Sequence, residues 1–315
     1  MSTPQPASPI TPRVVVLLAT FNGARWLGEQ LDSILNQKGV DVRIIALDDE
    51  STDGTFEQLT ERAQTDARLT MLPRSGPSGS AAANFYRLIL RAETDPDELV
   101  AFADQDDVWR ARKLESHARI LTESDVDGVS SNVTAFTGKG ERSLIRKDYP
   151  QRRFDFLLES AGPGSTFLLS PRLVQLARST LANDETLARG DTPHDWLIYA
   201  IARAHGWTWH IDAEPTVDYR QHDANVLGAN VGFKPAQQRL NAMRSGTHRA
   251  SAITAARAAL AVAAPELRPD LETLSELFTK RDVRSRWALA ARAGQLRRRP
   301  RDRAVIRTAI ATGLW

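Results

Sequence analysis

The chain has no cysteine in its 315 residues. That excludes disulfides, thiolate zinc sites, iron–sulfur clusters and thiol nucleophiles, and it leaves the redox compartment open. Long apolar runs are also missing. The longest candidate, 255–264, is interrupted by Arg257 and falls far short of the ~20 residues of a membrane-spanning helix. The glycine patterns that cradle phosphate, G-x-G-x-x-G and the P-loop, do not occur, which weighs against a dehydrogenase or an NTPase. The segment from Met1 to Pro9 has neither the basic nor the apolar stretch of a secretory signal. Residues 1–12 are therefore expected to form a flexible lead, and the protein is expected to be cytoplasmic.

What is present is ordinary globular material, 42% hydrophobic and 25% charged. A chain of this length buries roughly 75% of the surface of its unfolded form and needs no metal or crosslink merely to fold. The formal net charge of +2 hides an asymmetry, because residues 286–307 hold eight Arg and one Asp, a local +7 that leaves −5 elsewhere. The basicity is a property of the tail, which argues against a basic groove for nucleic acid and for a segment, 286–315, that meets an anionic membrane or partner. A solvated Arg-rich helix face is the alternative.

From residue 13 to about 132, short β-branched runs alternate with amphipathic stretches, the pattern of βα succession and a parallel sheet with right-handed crossovers. Strands are expected at 14–19, 42–47, 69–72 and 99–103. Leu27, Leu31, Ile34 and Leu35 mark a first helix, ending near Lys38-Gly39. Phe56, Leu59 and Ala63 mark a second, and Phe85, Leu88, Ile89 and Ala92 a third. The stretch 133–230 is less regular, with a strand expected at 166–169 and a helix at 194–205. From Lys234 onward strand candidates vanish and helices are expected.

In an open parallel sheet, ligands collect beyond the carboxyl ends of the strands. Those ends read Thr20-Phe21-Asn22-Gly23, Asp48-Asp49-Glu50-Ser51-Thr52-Asp53-Gly54 and Asp104-Gln105-Asp106-Asp107. Two of the three are strongly acidic, so an anionic ligand there calls for a divalent cation between. If the third loop is extended, Asp104 and Asp106 point the same way with period two.

Together with Glu29 to Gln37, His194-Asp195-Trp196 and Tyr219 to Val226, these segments make the chain resemble a family 2 glycosyltransferase of bacterial rhamnosyltransferase type. The resemblance covers about two-thirds of the chain in co-linear order. It implies an α/β GT-A fold, Rossmann-like, with a mostly parallel central sheet flanked by helices, spanning 13–232. A helical extension with the basic tail would occupy 233–315. It further implies inverting, metal-dependent sugar transfer from a nucleotide-diphosphate donor, dTDP-rhamnose or a UDP-sugar, to a cell-surface polysaccharide or lipid-linked oligosaccharide.

By the same resemblance Thr20, Asn22 and Asp49 line the nucleotide pocket, and Asn84 opens the donor-binding helix. Ala83 replaces the family's Arg there, with Arg74 a candidate substitute. Asp104 reaches the ribose or the metal, while Asp106 and His222 ligate Mg2+ or Mn2+. Asp195 is the catalytic base, held ionised at a helix start. Ser51 and Asp53 are expected to cap the next helix, and Trp196 to offer a stacking face to sugar. Glu50 stands where the family often has Gly, which questions how tight that turn is. Residues 162–166 are either an acceptor-side loop or a turn before a strand. The rival functions are a sugar nucleotidyltransferase, which would need a glycine-rich loop near its start, and a non-catalytic scaffold of a polysaccharide assembly.

Overall fold

The computed structural model describes residues 11–222 and 245–315. Most of the expected lead, residues 1–10, and the domain boundary expected at 232/233 lie outside the described residues.

The chain begins with β1 (Arg13–Thr20), α1 (Ala24–Leu35), β2 (Asp41–Asp48), α2 (Thr55–Thr65), β3 (Leu69–Met71), α3 (Ala81–Arg91) and β4 (Leu99–Ala103). These four strands pair in parallel, in the order β3-β2-β1-β4. β1 is central, and its β-branched run suits burial on both faces. Val14, Val16 and Leu18 enter the apolar layer under α1, while Val15, Leu17 and Ala19 enter the layer on the opposite face under α3. That is the period of two acting on a doubly covered strand. α1 ends at Leu35 with Asn36 as C-cap, earlier than Lys38-Gly39, because Gly39, at φ +71°, belongs to the turn into β2.

Beyond β4 the sheet becomes mixed. β5 (Val108–Trp109), α4 (Lys113–Glu123), β6 (Gly128–Thr137) and β7 (Arg142–Ile145) lead to β8 (Leu168–Leu169), α5 (Pro171–Asn183), α6 (His194–Ala204) and β9 (Trp209–Gln221). The order continues β4-β8-β6-β9-β5, with β7 on β6. β8 runs antiparallel to β4 and β6, β9 parallel to β6, and β5 antiparallel to β9. The two-residue β5 and β8 take their direction from tertiary pairing, which no local periodicity encodes. Of the strand expected at 166–169 only Leu168–Leu169 pairs, because Thr166 closes a 3-10 turn that begins at Gly164.

The C-terminal helices are α7 (Thr247–Val262), α8 (Arg268–Thr279), α9 (Val283–Ala291), α10 (Ala293–Leu296) and α11 (Pro300–Thr312). Ala252, Ala255, Ala256 and Ala259 of α7 join the same apolar cluster as α3, α5 and α6, so these helices extend the core of the sheet domain. The basic segment is folded, and part of its charge is spent internally. Arg298 is 3% exposed, accepted by the Ser160 carbonyl and near Asp155 and Glu159, while Arg297 donates to the Leu158 carbonyl. No helix among the described residues is long and apolar enough to cross a membrane.

Candidate active site

The first two strand ends are cross-linked loop to loop. Thr20 is buried and its hydroxyl donates to Asp48 Oδ1 (3.0 Å). Asn22 takes a left-handed backbone, φ +50°, with its N–H on Ser51 Oγ (2.8 Å) and its Oδ1 accepting the Thr52 N–H (2.9 Å). Ser51 therefore joins the loops and caps no helix, contrary to expectation. Its hydroxyl is committed to Asp48 Oδ1 at 2.6 Å. Asp53 does cap, and does so twice: Oδ1 accepts the Thr55 N–H and Oδ2 the Ala24 N–H, at the starts of α2 and α1. Glu50 keeps the turn tight despite its side chain by adopting φ +63°, at a cost of roughly 1 kcal/mol relative to Gly.

Asp49 sits at the rim of this platform, 8% exposed, with Oδ1 accepting from the Ser78 N–H (2.6 Å) and Oδ2 from the Ser78 hydroxyl (2.7 Å). Arg74 pairs with Asp48 and lies over the Phe56 ring, which ties it to the loop core. Asn84 is buried beneath the strand ends. Its Nδ2 donates to the Leu47 carbonyl (3.1 Å), and its Oδ1 has no partner among the described residues.

The acidic loop follows β4. Gln105 turns back, its amide bonded to both the N–H and the C=O of Phe21, and lies across Gly23, where any Cβ would collide with it at 2.3 Å. Asp106 turns the other way and meets His222, Nε2 to Oδ2 at 2.7 Å. The β5–β9 register explains this meeting across 116 residues of sequence. Val108 pairs with Asp218, so the acidic loop just before β5 runs beside the end of β9, which carries Arg220 and leads into His222. Arg220 locks the junction, with its N–H on Asp107 Oδ1 and Nε on the Asp106 carbonyl. The His222 imidazole stacks on Trp26, with centroids 4.1 Å apart.

Asp195 lies in the first turn of α6, near enough for its charge to be felt at Asp104. Burial pushes the Asp104 carboxyl up to about 7, with Asp106 and then Asp195 adding to the rise. Burial likewise pushes Asp195 up to about 6. The Trp196 N–H on its Oδ1 (2.7 Å), Lys147 and the Ser160 hydroxyl pull the other way. The helix terminus alone would hold this group ionised; desolvation outweighs it. Asp191, the nearby acidic alternative, is exposed.

The donor set of Asp104, Asp106 and His222, hard oxygens plus an imidazole, fits Mg2+ or Mn2+. The raised Asp104 and Asp195 carboxyls mark a centre short of positive charge. Among the described residues no three ligands form a preformed cage.

One expectation fails: Trp196 is a core residue, 7% exposed, with Nε1 donating to the Phe156 carbonyl (2.8 Å), and presents no face to sugar. Of the two readings of 162–166, the turn before a strand is the one the structure favours, since a Cβ on Gly164 would stand 2.2 Å from His194 Nε2 and the small residues serve close packing. Sequence reasoning also missed several participants. Gln105, Arg220 and Trp26 hold the acidic loop and His222, Lys147 and Ser160 adjoin Asp195, and Phe21 exposes 55% of its surface on the first loop. Phe21 and Gln105 carried a signal inside the strand-end motifs, and Arg220 inside the segment from Tyr219 to Val226; Trp26, Lys147 and Ser160 carried none.

Comparison with known proteins agrees with this geometry. The model of "Glycosyl transferase family 2" matches residues 15–179, about half of the chain. The dTDP-rhamnosyl transferase RfbG of Shigella flexneri is 36% identical over 233 residues, covering 74% of this chain and 81% of that protein. Two solved structures share the GT-A fold. TarS of S. aureus in complex with UDP-GlcNAc has a TM-score of 0.53 at 15% identity, over 86% of this chain and 94% of that one. The mannosyltransferase PcManGT of Pyrobaculum calidifontis, in complex with GDP-Man and Mn2+, has a TM-score of 0.51 at 21% identity, over 99% and 84%. With three acidic strand-end and helix-start side chains gathered on this scaffold, and a family model spanning the strands that carry most of them, the chain belongs to glycosyl transferase family 2 and is a rhamnosyltransferase-like glycosyltransferase.

Proposed function

We propose that this enzyme transfers rhamnose with inversion from dTDP-rhamnose to a growing surface polysaccharide or lipid-linked oligosaccharide. The observation that carries the reading is the approach of Asp195, at the start of α6, and of Asp106, paired with His222, to Asp104, where the charges of both are felt. The likeness to a dTDP-rhamnosyl transferase supports the donor.

In this reading the donor base lies on the platform of Asn22 and Asp49, with the exposed Phe21 ring as a stacking face. The unpartnered Asn84 oxygen is an acceptor buried below the same strand ends. Asp104, Asp106 and His222 would hold Mg2+ or Mn2+, which when bound neutralises charge on the departing diphosphate. Asp195 accepts the proton of the acceptor hydroxyl as that oxygen bonds to the anomeric carbon and the carbon–oxygen bond to phosphate breaks. A carboxyl raised to about 6 suits the task, because a base works best when its pKa lies near the operating pH. The basic segment 286–315 brings the enzyme to an anionic membrane face, where a lipid-linked acceptor resides.

The test is product analysis with dTDP-rhamnose and Mn2+. Release of dTDP supports the transferase, release of pyrophosphate would indicate a nucleotidyltransferase, and release of neither would indicate a scaffold. An Asp195→Asn variant that keeps near-normal turnover would refute the base assignment.

A further inference from the structure

Large apolar side chains at the surface are few. Among the described residues they are Phe21, Leu90, Leu144, Val283, Trp287, Val305 and Leu314, and four of these seven lie in the last 33 residues. Trp287, 62% exposed, is the most exposed of all, and Val283 follows at 58%. On α9 these two stand one turn apart on the outer face, while Ser285, Leu289 and Ala290 face inward. The Arg286 guanidinium packs against Gly313, which sets the end of α11, and with it the 45% exposed Leu314, beside α9.

The surrounding charge is mostly positive. Arg281, Arg284, Arg299, Arg301 and Arg307 are exposed. Against them stand two acidic residues of 281–315: Asp282, exposed, whose Oδ1 accepts the Ser285 N–H, and Asp302, 3.8 Å from Arg297. An indole and aliphatic cluster ringed by guanidinium groups does not suit a second copy of the chain, because a two-fold contact would set the same arginines against one another. It matches the interfacial zone of an anionic bilayer, where Trp rings settle at headgroup depth and basic side chains meet lipid phosphate.

We infer that the face formed by α9 and the end of α11 is a membrane-docking surface, which inserts Val283, Trp287 and Leu314 into the headgroup–acyl boundary of an anionic leaflet while Arg281, Arg284 and Arg301 engage headgroups. This deepens, and rests on, the membrane contact proposed above, and it differs in consequence. A purely electrostatic tail detaches at high salt, whereas an inserted indole leaves a salt-resistant fraction.

The experiment is co-sedimentation of the full-length protein with vesicles of phosphatidylglycerol and phosphatidylcholine, and with phosphatidylcholine alone, at low and at 0.5 M salt (about a 4 Å Debye length). Binding is expected only to the anionic vesicles, with part retained at high salt. Val283→Ser/Trp287→Ser should lose the retained part and weaken binding at least tenfold (order of magnitude), with dTDP release in solution unchanged. Deletion of 286–315 is unsuitable because it removes buried Arg298. Equal binding by the double variant, no preference for anionic lipid, or a concentration-dependent dimer abolished by Trp287→Ser would each overturn the inference. Donor turnover without vesicles reports separately on the transferase reading.

Discussion

Replacing Asp195 by Asn should make the protein more stable while removing its activity, and the stabilisation should depend on pH in a defined way. The folded-state pKa is raised from 3.8 to about 6 because burial penalises the carboxylate. Below 3.8 the group is protonated in both folded and unfolded chains, and there is no penalty. Between 3.8 and 6 the unfolded chain ionises first, so wild-type stability falls as pH rises. Above 6 the penalty is complete and flat. A rise from 3.8 to about 6 is worth at most about 3 kcal/mol, and because Asp195 is only partly buried, about half of that is expected. Asn keeps the acceptor for the Trp196 N–H, so little else changes. Denaturant unfolding without metal or donor should show the variant about 1–2 kcal/mol more stable at pH 7.5, or about 2–4 °C per kcal/mol in melting temperature, and close to wild type at pH 4. Its turnover should fall at least about 100-fold, the usual worth of a general base. A stability difference that is flat in pH, or opens in the opposite direction, would refute the assignment of desolvation as the dominant cause.

Other outcomes follow from the same geometry. Asp106→Ala should abolish the metal-dependent rise in melting temperature produced by dTDP, since only ligands that bind the folded state stabilise by mass action; an undiminished shift would remove Asp106 from the donor site. EDTA should stop transfer and either Mn2+ or Mg2+ restore it, which a simple add-back assay decides. Gly164→Ala should cost about 1–3 kcal/mol through overpacking against His194 and lower turnover by moving the start of α6; an unchanged melt would show that the loop has slack. Asp49→Ala frees both Ser78 contacts and should raise the KM for donor while costing about 1–3 kcal/mol; steady-state kinetics with unaltered KM would exclude it from the donor platform.

The parallel half of the molecule was legible because its physics is local. The run around Val15 can only be a strand covered on both sides, and the strand ends then announce where a ligand sits. The mixed half was not, because β5 and β8 are two residues long and their neighbours are chosen by the rest of the sheet. The meeting of Asp106 and His222 therefore came only through family likeness; composition and spacing hold no trace of the β5–β9 register. The environment of Asp195 was hidden for a related reason. A helix start reads as a place for a charged carboxylate, while the desolvation that reverses the balance comes from residues far away in sequence. Ser51 and Asp53 are equally plausible caps by type, and only the three-dimensional approach of the first loop decides between them. The arginines at 297 and 298 read as part of one outward-facing basic segment because nothing in the run distinguishes them from Arg299 or Arg301.

The placement of Arg298 has a bearing on biogenesis. Its guanidinium meets the Ser160 carbonyl and its main-chain N–H meets Glu159, in the stretch that also supplies the hydroxyl beside Asp195. That stretch is synthesised some 138 positions before the residue that fastens it. During translation the peptide around Ser160 lacks this anchor until Arg298 leaves the ribosomal tunnel, so the surroundings of Asp195 are completed only when the segment at 298 has emerged.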